Sequence, residues 1–177
     1  MIVTDRLILR PWRRSDIRPF YAMGQDREVM RFYGPRATMA DCRRDHDRMT
    51  AIQRRYGHCF WALERRSDAR FIGFCGLLPG GGPIDGEVEI GWRLARDQWG
   101  QGLALEAARA SLAWSWKHLA VRSIAAVTVP ANKRSRRLIE RLGMVRAPEG
   151  DFEHPDLAAG DPLRSHLLYR IARPTHG

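Results

Sequence analysis

Two glycines one residue apart, Gly100 and Gly102 in QWGQGLALEA, stand where a polar, aromatic approach gives way to a helix-like stretch. A strand that enters a helix through such a turn leaves the first backbone N–H groups of the helix unpaired, at the positive end of its dipole. That arrangement binds anions. Glycine also permits open dihedrals and lets a ligand come to backbone distance, as a phosphate group requires. The letters match neither the G-x-x-x-x-G-K-[ST] loop nor the G-x-G-x-x-G fingerprint, because Ala104, Leu105 and Glu106 follow. A tight turn with close packing satisfies them equally well. Just upstream, Glu87 and Glu89 in GEVEIGWRL alternate with Val88, Ile90 and Trp92, which puts two carboxylates on one face of a strand. His154 and His166 are alternatives to a carboxylate base by type, since an imidazole exchanges protons near neutrality, although His166 lies in a strand-like run that favours a structural role.

Such residues need a scaffold, and hydrophobic periodicity outlines one. DRLILR reads as a first strand, ended by Pro11. Ser15 stands as a helix cap ahead of Ile17, Phe20 and Tyr21, and Thr38 caps a second helix, TMADCRRDHDRMTAIQRRYG. HCFWALERRSDARFIGFCGLL contains two strands around a polar turn at 66–69, a hairpin, and PGGGP at 79–83 is an exposed loop. GEVEIGWRL follows as a half-buried strand. Leu105, Ala108, Leu112, Trp116 and Leu119 then recur at helical spacing, placing a helix from about 102 to 118. SIAAVTV is a short buried strand, and ANKRSRRLIERLG is a helix that Asn132 caps and Gly143 ends. APEGDFEHPDLAAGDP reads as loop and SHLLYRI as a last strand. Hairpins followed by helix-linked strands give an α/β (α+β) fold with a mixed sheet.

At 177 residues, 44% hydrophobic and 28% charged, the chain is expected to form one domain over 1–177 with an ordinary core. Its net charge is +10, nearly all of it arginine, since Lys117 and Lys133 are the only lysines. Such a surface favours anionic partners, although scattered arginines also simply solubilise helix faces. Cys42, Cys59 and Cys75 are odd in number and lack C-x-x-C spacing, against a disulfide framework and against a metal site. No apolar run nears the roughly 20 residues of a membrane span, and MIVTDRLILRPW lacks the pattern of a signal peptide. A cytoplasmic protein is expected.

VEIGWRLARDQWGQGLALEAARASLAWSWKHL followed by AAVTVPANKRSRRLIERLGM resembles the acetyl-CoA binding core of the GNAT superfamily of N-acetyltransferases. It is more closely similar to the RimJ/RimL-type branch, which acetylates N-terminal amines of ribosomal proteins. TDRLILRPW, FIGFCGLL and HLLYRI extend the resemblance over nearly the whole chain. It implies a mostly antiparallel, twisted sheet flanked by helices, with a splayed cleft for acetyl-CoA. It also implies that Trp99, Gly100, Gln101, Gly102, Leu103 and Ala104 surround the pyrophosphate, with Trp99 where the superfamily has Gln or Arg. Asn132 and Ser135 match an N-x-x-S element near the pantetheine and the sulfur. Many members carry a tyrosine acid on that helix, where this chain has Ile139. Ser135 is then the substitute proton donor to the thiolate. Glu89 occupies a position at which the superfamily uses a carboxylate, so it is the candidate general base, acting through water. Backbone N–H groups near Ile90 and Gly91 would face the oxyanion.

Direct acetyl transfer needs a neutral amine, a stabilised oxyanion and a proton for the thiolate, and no covalent nucleophile. Neutralising a lysine amine at pH 7 costs about 4.6 kcal/mol, whereas an α-amino group costs about 1.2 kcal/mol, so an N-terminal amine needs a weaker base. The acceptor site falls to the first third of the chain, where Tyr33 beside Gly34 and Pro35 is the candidate substrate residue. Phe60, Trp61, Phe71 and Phe74 read mostly as core. Two other functions compete: a non-catalytic acyl-CoA-binding sensor, suggested by Ile139, and a basic nucleic-acid or ribosome-binding module, suggested by the charge. Against the latter, no nucleic-acid-binding signature accompanies the arginines. SHLLYRI as an edge strand would allow a homodimer.

Overall fold

The computed structural model describes residues 1–174. A short strand β1 (Ile2–Val3) turns back into β2 (Leu7–Arg10), and two short helices, α1 (Ile17–Met23) and α2 (Arg27–Met30), lead to the long α3 (Met39–Tyr56). The hairpin β3 (Phe60–Arg65) and β4 (Arg70–Pro79) and the strand β5 (Val88–Leu94) complete the first half. Next come α4 (Leu103–His118), β6 (Ser123–Thr128), α5 (Lys133–Arg141), two-residue strands β7 (Val145–Arg146) and β8 (Phe152–Glu153), and β9 (Ser165–Ala172). The sheet runs β1-β2-β3-β4-β5-β6-β9-β7, with β8 added beside β9. Its one parallel junction is β5 with β6, which α4 connects. This is the mixed, mostly antiparallel sheet flanked by helices that the sequence implies.

Both faces of the sheet are covered, because successive side chains on a strand point opposite ways. Cys75 of β4 meets Ser111 of α4 at 3.9 Å. On the other face its neighbour Phe74 packs against Phe20 of α1, with ring centroids 6.1 Å apart. β5 is half-buried as expected, with Ile90 and Leu94 buried and the rest intermediate, and a β-carbon on Gly91 would come within 2.6 Å of the Phe60 ring. Beneath α1 lies a buried ion cluster. Arg10 donates to both carboxylate oxygens of Asp16 at 2.7 and 2.9 Å and to Glu64 at 2.6 Å, joining β2, β3 and the entry to α1.

Three local expectations change. Ser15 sits inside a 3₁₀ turn, Arg14–Asp16, and the turn is closed by Asp16, whose carboxylate accepts from the Arg13 N–H at 2.7 Å. Asp16 wins because the same side chain also answers Arg10. The 147–162 segment holds a 3₁₀ turn, Pro148–Gly150, and β8. β9 is not an edge: β6 flanks it on one side, and β7 and β8 pair with it as well, so the edge on which a homodimer was expected is already occupied. Thr38 caps α3 as expected, in a reciprocal box with Asp41.

Candidate active site

β5 and β6 share one register pair, Glu89 with Ala125, and beyond it they part. The gap is a cavity of about 190 Å³ between residues 89–92 of β5 and 126–129 at the end of β6. Tyr33, Glu89, Asn132, Ser135 and His166 all stand on its wall. Each strand then feeds a helix whose N-terminus opens at the same end of the cleft: α4 after β5, α5 after β6. The Arg134 guanidinium lies 4.6 Å from the centre of the Trp99 ring, which ties the two helix starts together.

Gly100 and Gly102 have φ of 76° and 77°, in the left-handed region where an L side chain costs about 1–2 kcal/mol. The N–H groups of Gly100, Gln101, Gly102, Leu103 and Ala104 donate to no acceptor among the described residues, and no side chain caps α4. α3 and α5, by contrast, are capped by Thr38 and Asn132. Side chains hold the turn from outside. Trp99 Nε1 donates to the Leu94 carbonyl at 2.9 Å, Gln101 Nε2 to the Asp97 carbonyl at 2.9 Å, and Leu103 is buried in the core. What the turn offers a ligand is therefore backbone N–H at a positive helix end, a cradle for an anion.

The two carboxylates of the strand part company. Glu87, just before β5, is bound by Arg170 through two contacts of 2.8 Å, and that pairing holds its carboxyl below the usual range. Glu89 has no such partner among the described residues. Burial pushes it up to about 7, with only Arg48 pulling the other way. Asn132 accepts from the Ser135 N–H at 3.2 Å, so its cap role is real, and both residues still face the cavity. Ile139 is fully buried and contributes core packing alone. Tyr33 is 49% exposed at the mouth, with its hydroxyl donating to the Trp92 carbonyl at 2.9 Å.

Sequence reasoning understated some residues and missed others. His166, whose place in the last strand favours a structural role, lies on the cavity wall, while His154 does not. The Nδ1 of His166 is 3.0 Å from the Arg164 carbonyl; a carbonyl only accepts, so Nδ1 donates there and Nε2 is the nitrogen left over in the hydrogen-bonding balance. Phe60 and Phe74, stacked at 5.4 Å, are wall as well as core. Arg93 was overlooked. Its guanidinium sits among Phe20, Tyr33 and Phe74 at 5.0, 4.8 and 5.1 Å, with a buried Nε that has no partner among the described residues. The signal was available: Glu89, Gly91 and Arg93 alternate on one strand face.

Comparison with known proteins converges on one family. Residues 6–145 match the family model of the acetyltransferase (GNAT) domain. An uncharacterized Bacillus subtilis (strain 168) protein, YkkB, is 34% identical over 147 residues, 81% of this chain and 84% of its own. A putative GNAT-family acetyltransferase from Bordetella pertussis superposes with a TM-score of 0.78 at 26% identity, over 97% of this chain and 99% of that one. RimL, a ribosomal L7/L12 alpha-N-protein acetyltransferase in complex with coenzyme A, shares the fold at a TM-score of 0.77 and 15% identity, over 96% of each chain.

Proposed function

The chain belongs to the acetyltransferase (GNAT) family, and from that premise we propose that it moves an acetyl group from acetyl-CoA directly to a primary amine in a ternary complex. The acceptor is a peptide N-terminus or a small-molecule amine, and residues 1–177 act as one cytoplasmic domain. One observation carries the reading: the strand that sets a carboxylate poised near neutrality on the cleft wall leads into an uncapped helix start with free N–H groups.

Acetyl-CoA supplies the activated acetyl group as a thioester. The N–H groups of residues 100–104 hold its pyrophosphate against the positive end of α4, with Trp99 bracing the turn. Asn132 and Ser135 stand beside the pantetheine arm. Glu89 removes a proton from the acceptor ammonium, directly or through one water, and a base of pKa about 7 is well matched to neutral solution. Past Glu89 the β6-facing edge of β5 has no ladder partner, so its N–H groups serve the developing oxyanion. Ser135 protonates the departing thiolate, since Ile139 has no proton to give. Tyr33 marks the acceptor mouth.

The chain offers no thiol for a covalent alternative. Cys42, Cys59 and Cys75 are all buried, and burial pushes the Cys59 and Cys75 thiols up to about 12. The sensor reading is weakened by Glu89, whose burial without a partner costs stability and is explained by use as a base. The nucleic-acid reading is weakened because arginines such as Arg6, Arg10, Arg65, Arg70 and Arg170 are already ion-paired.

The test is release of free thiol from acetyl-CoA over a panel of amino-terminal peptides, polyamines and amino sugars, for wild type and Glu89→Gln. We expect turnover with at least one acceptor and a loss of about 10²- to 10⁴-fold in the variant. Undiminished turnover by Glu89→Gln removes Glu89 from the mechanism, and coenzyme binding without turnover on any amine favours the sensor.

A further inference from the structure

The opening motif TDRL takes no part in the chemistry above, yet its side chains reach the glycine turn. Thr4 and Arg6, in the turn between β1 and β2, converge on Glu106 in the first turn of α4, 100 residues beyond Arg6. The Thr4 hydroxyl donates to Glu106 Oε1 at 2.6 Å and the Arg6 N–H to the same oxygen at 3.0 Å. Arg6 Nε and Nη2 reach Oε2 at 2.7 and 2.6 Å. The remaining arm, Nη1, donates to the carbonyl of Gln101 at 2.9 Å. The platform is itself fixed, with Leu7 N–H on the Thr4 hydroxyl at 3.0 Å and Arg66 on the Thr4 and Asp5 carbonyls at 2.8 and 2.9 Å.

The Gln101 carbonyl and the Gly102 N–H belong to one trans peptide plane and point opposite ways. Holding that carbonyl at the back of the turn aims the Gly102 N–H out of the front. Arg6 has its charge matched by Glu106 and each of its three guanidinium nitrogens in contact with Glu106 or the Gln101 carbonyl, so it supplies orientation rather than attraction for an anion.

We propose that Arg6, locked by Glu106, is a positioning residue that fixes the Gln101–Gly102 peptide so that the Gly102 N–H faces the pyrophosphate of acetyl-CoA. The inference rests on the reading of the glycine turn as the pyrophosphate site. It accounts for Thr4 and Arg6 together with Glu106, about 100 residues away, none of which any step of the chemistry uses.

Two donors separate positioning from stability: acetyl-CoA, and S-acetylpantetheine, which carries the same thioester without the pyrophosphate. Steady-state kinetics are measured for wild type, Arg6→Ala, Arg6→Lys and Glu106→Gln. In Arg6→Ala the KM for acetyl-CoA rises about tenfold or more with kcat within about twofold, as loss of an orienting hydrogen bond to a binding loop implies. Its kcat/KM for S-acetylpantetheine stays at the wild-type value, and Arg6→Lys recovers part of the loss. If Arg6→Ala does not fold, Glu106→Gln gives the same comparison, because it keeps an oxygen for Thr4 and for the Arg6 N–H. An equal fall with both donors, or no change with either, overturns the proposal. A wild type that does not prefer acetyl-CoA over S-acetylpantetheine overturns the pyrophosphate reading itself, and the clamp with it.

Discussion

At the scale of single residues, Glu89 and Glu87 show how position overrides type. Two residues apart and chemically identical, one is held below the usual carboxylate range by Arg170 and the other is pushed up to about 7 by burial. A carboxyl whose folded pKa is raised contributes stability below its unfolded pKa and loses it as pH rises through the folded value. Glu89 therefore destabilises the fold increasingly between the ordinary carboxylate value of 4.5 and about 7, and glutamine does not titrate. The melting temperature of Glu89→Gln is expected to match or trail wild type at about pH 5 and to exceed it at about pH 8. A difference that stays constant across that range shows that Glu89 is not desolvated in the fold. The pair of carboxylates was legible in the alternation of GEVEIGWRL, but their division was not, because Arg170 lies on the last strand and joins them only through the sheet. His166 reads as structural from its strand for the same reason: its neighbours on the cavity wall come from β5, β6 and α5.

At the scale of elements, the site is a consequence of one junction. The sheet is antiparallel until β5 meets β6, where a single register pair holds and the strands then diverge. Helix starts at both strand ends follow, and the glycine turn gives one of them free N–H groups. Periodicity revealed β5, α4, β6 and α5 closely, because each is long enough to show its face. The two-residue strands β1, β7 and β8 carry no such pattern, and β7 and β8 are what remove β9 from the edge. The Arg10 cluster was also hidden, since an arginine in an alternating strand reads as the solvent side. Its side chain is 5% exposed, against 3% for Asp16 and 11% for Glu64. Arg10→Ala leaves the buried Asp16 without its cation and Glu64 with only the exposed Arg13 at 3.0 Å, and chemical denaturation is expected to show a loss of about 3–5 kcal/mol. A loss under about 1 kcal/mol means that the cluster is solvated.

At the scale of the whole molecule, the +10 charge is real but dispersed. Much of it is engaged in holding elements to one another, from Arg10 beneath α1 to Arg170 on Glu87, and Arg173 donates to the carbonyls of Trp116, Leu119 and Val121 at the end of α4. No helix among the described residues is long and apolar enough to cross a membrane. What distinguishes this surface is therefore the cleft, and the account depends on the glycine turn binding the donor there. Calorimetric titration of acetyl-CoA into wild type, Gly102→Ala and Gly102→Glu tests this most directly. The two variants share the strain of a side chain at φ 77°, but only glutamate adds bulk and negative charge to the turn, from a β-carbon 3.6 Å from Arg6 Nη2. Micromolar binding by wild type, kept within about tenfold by Gly102→Ala and abolished in a folded Gly102→Glu, is the expected result. Absence of binding by wild type, or equal binding by a folded Gly102→Glu, contradicts it.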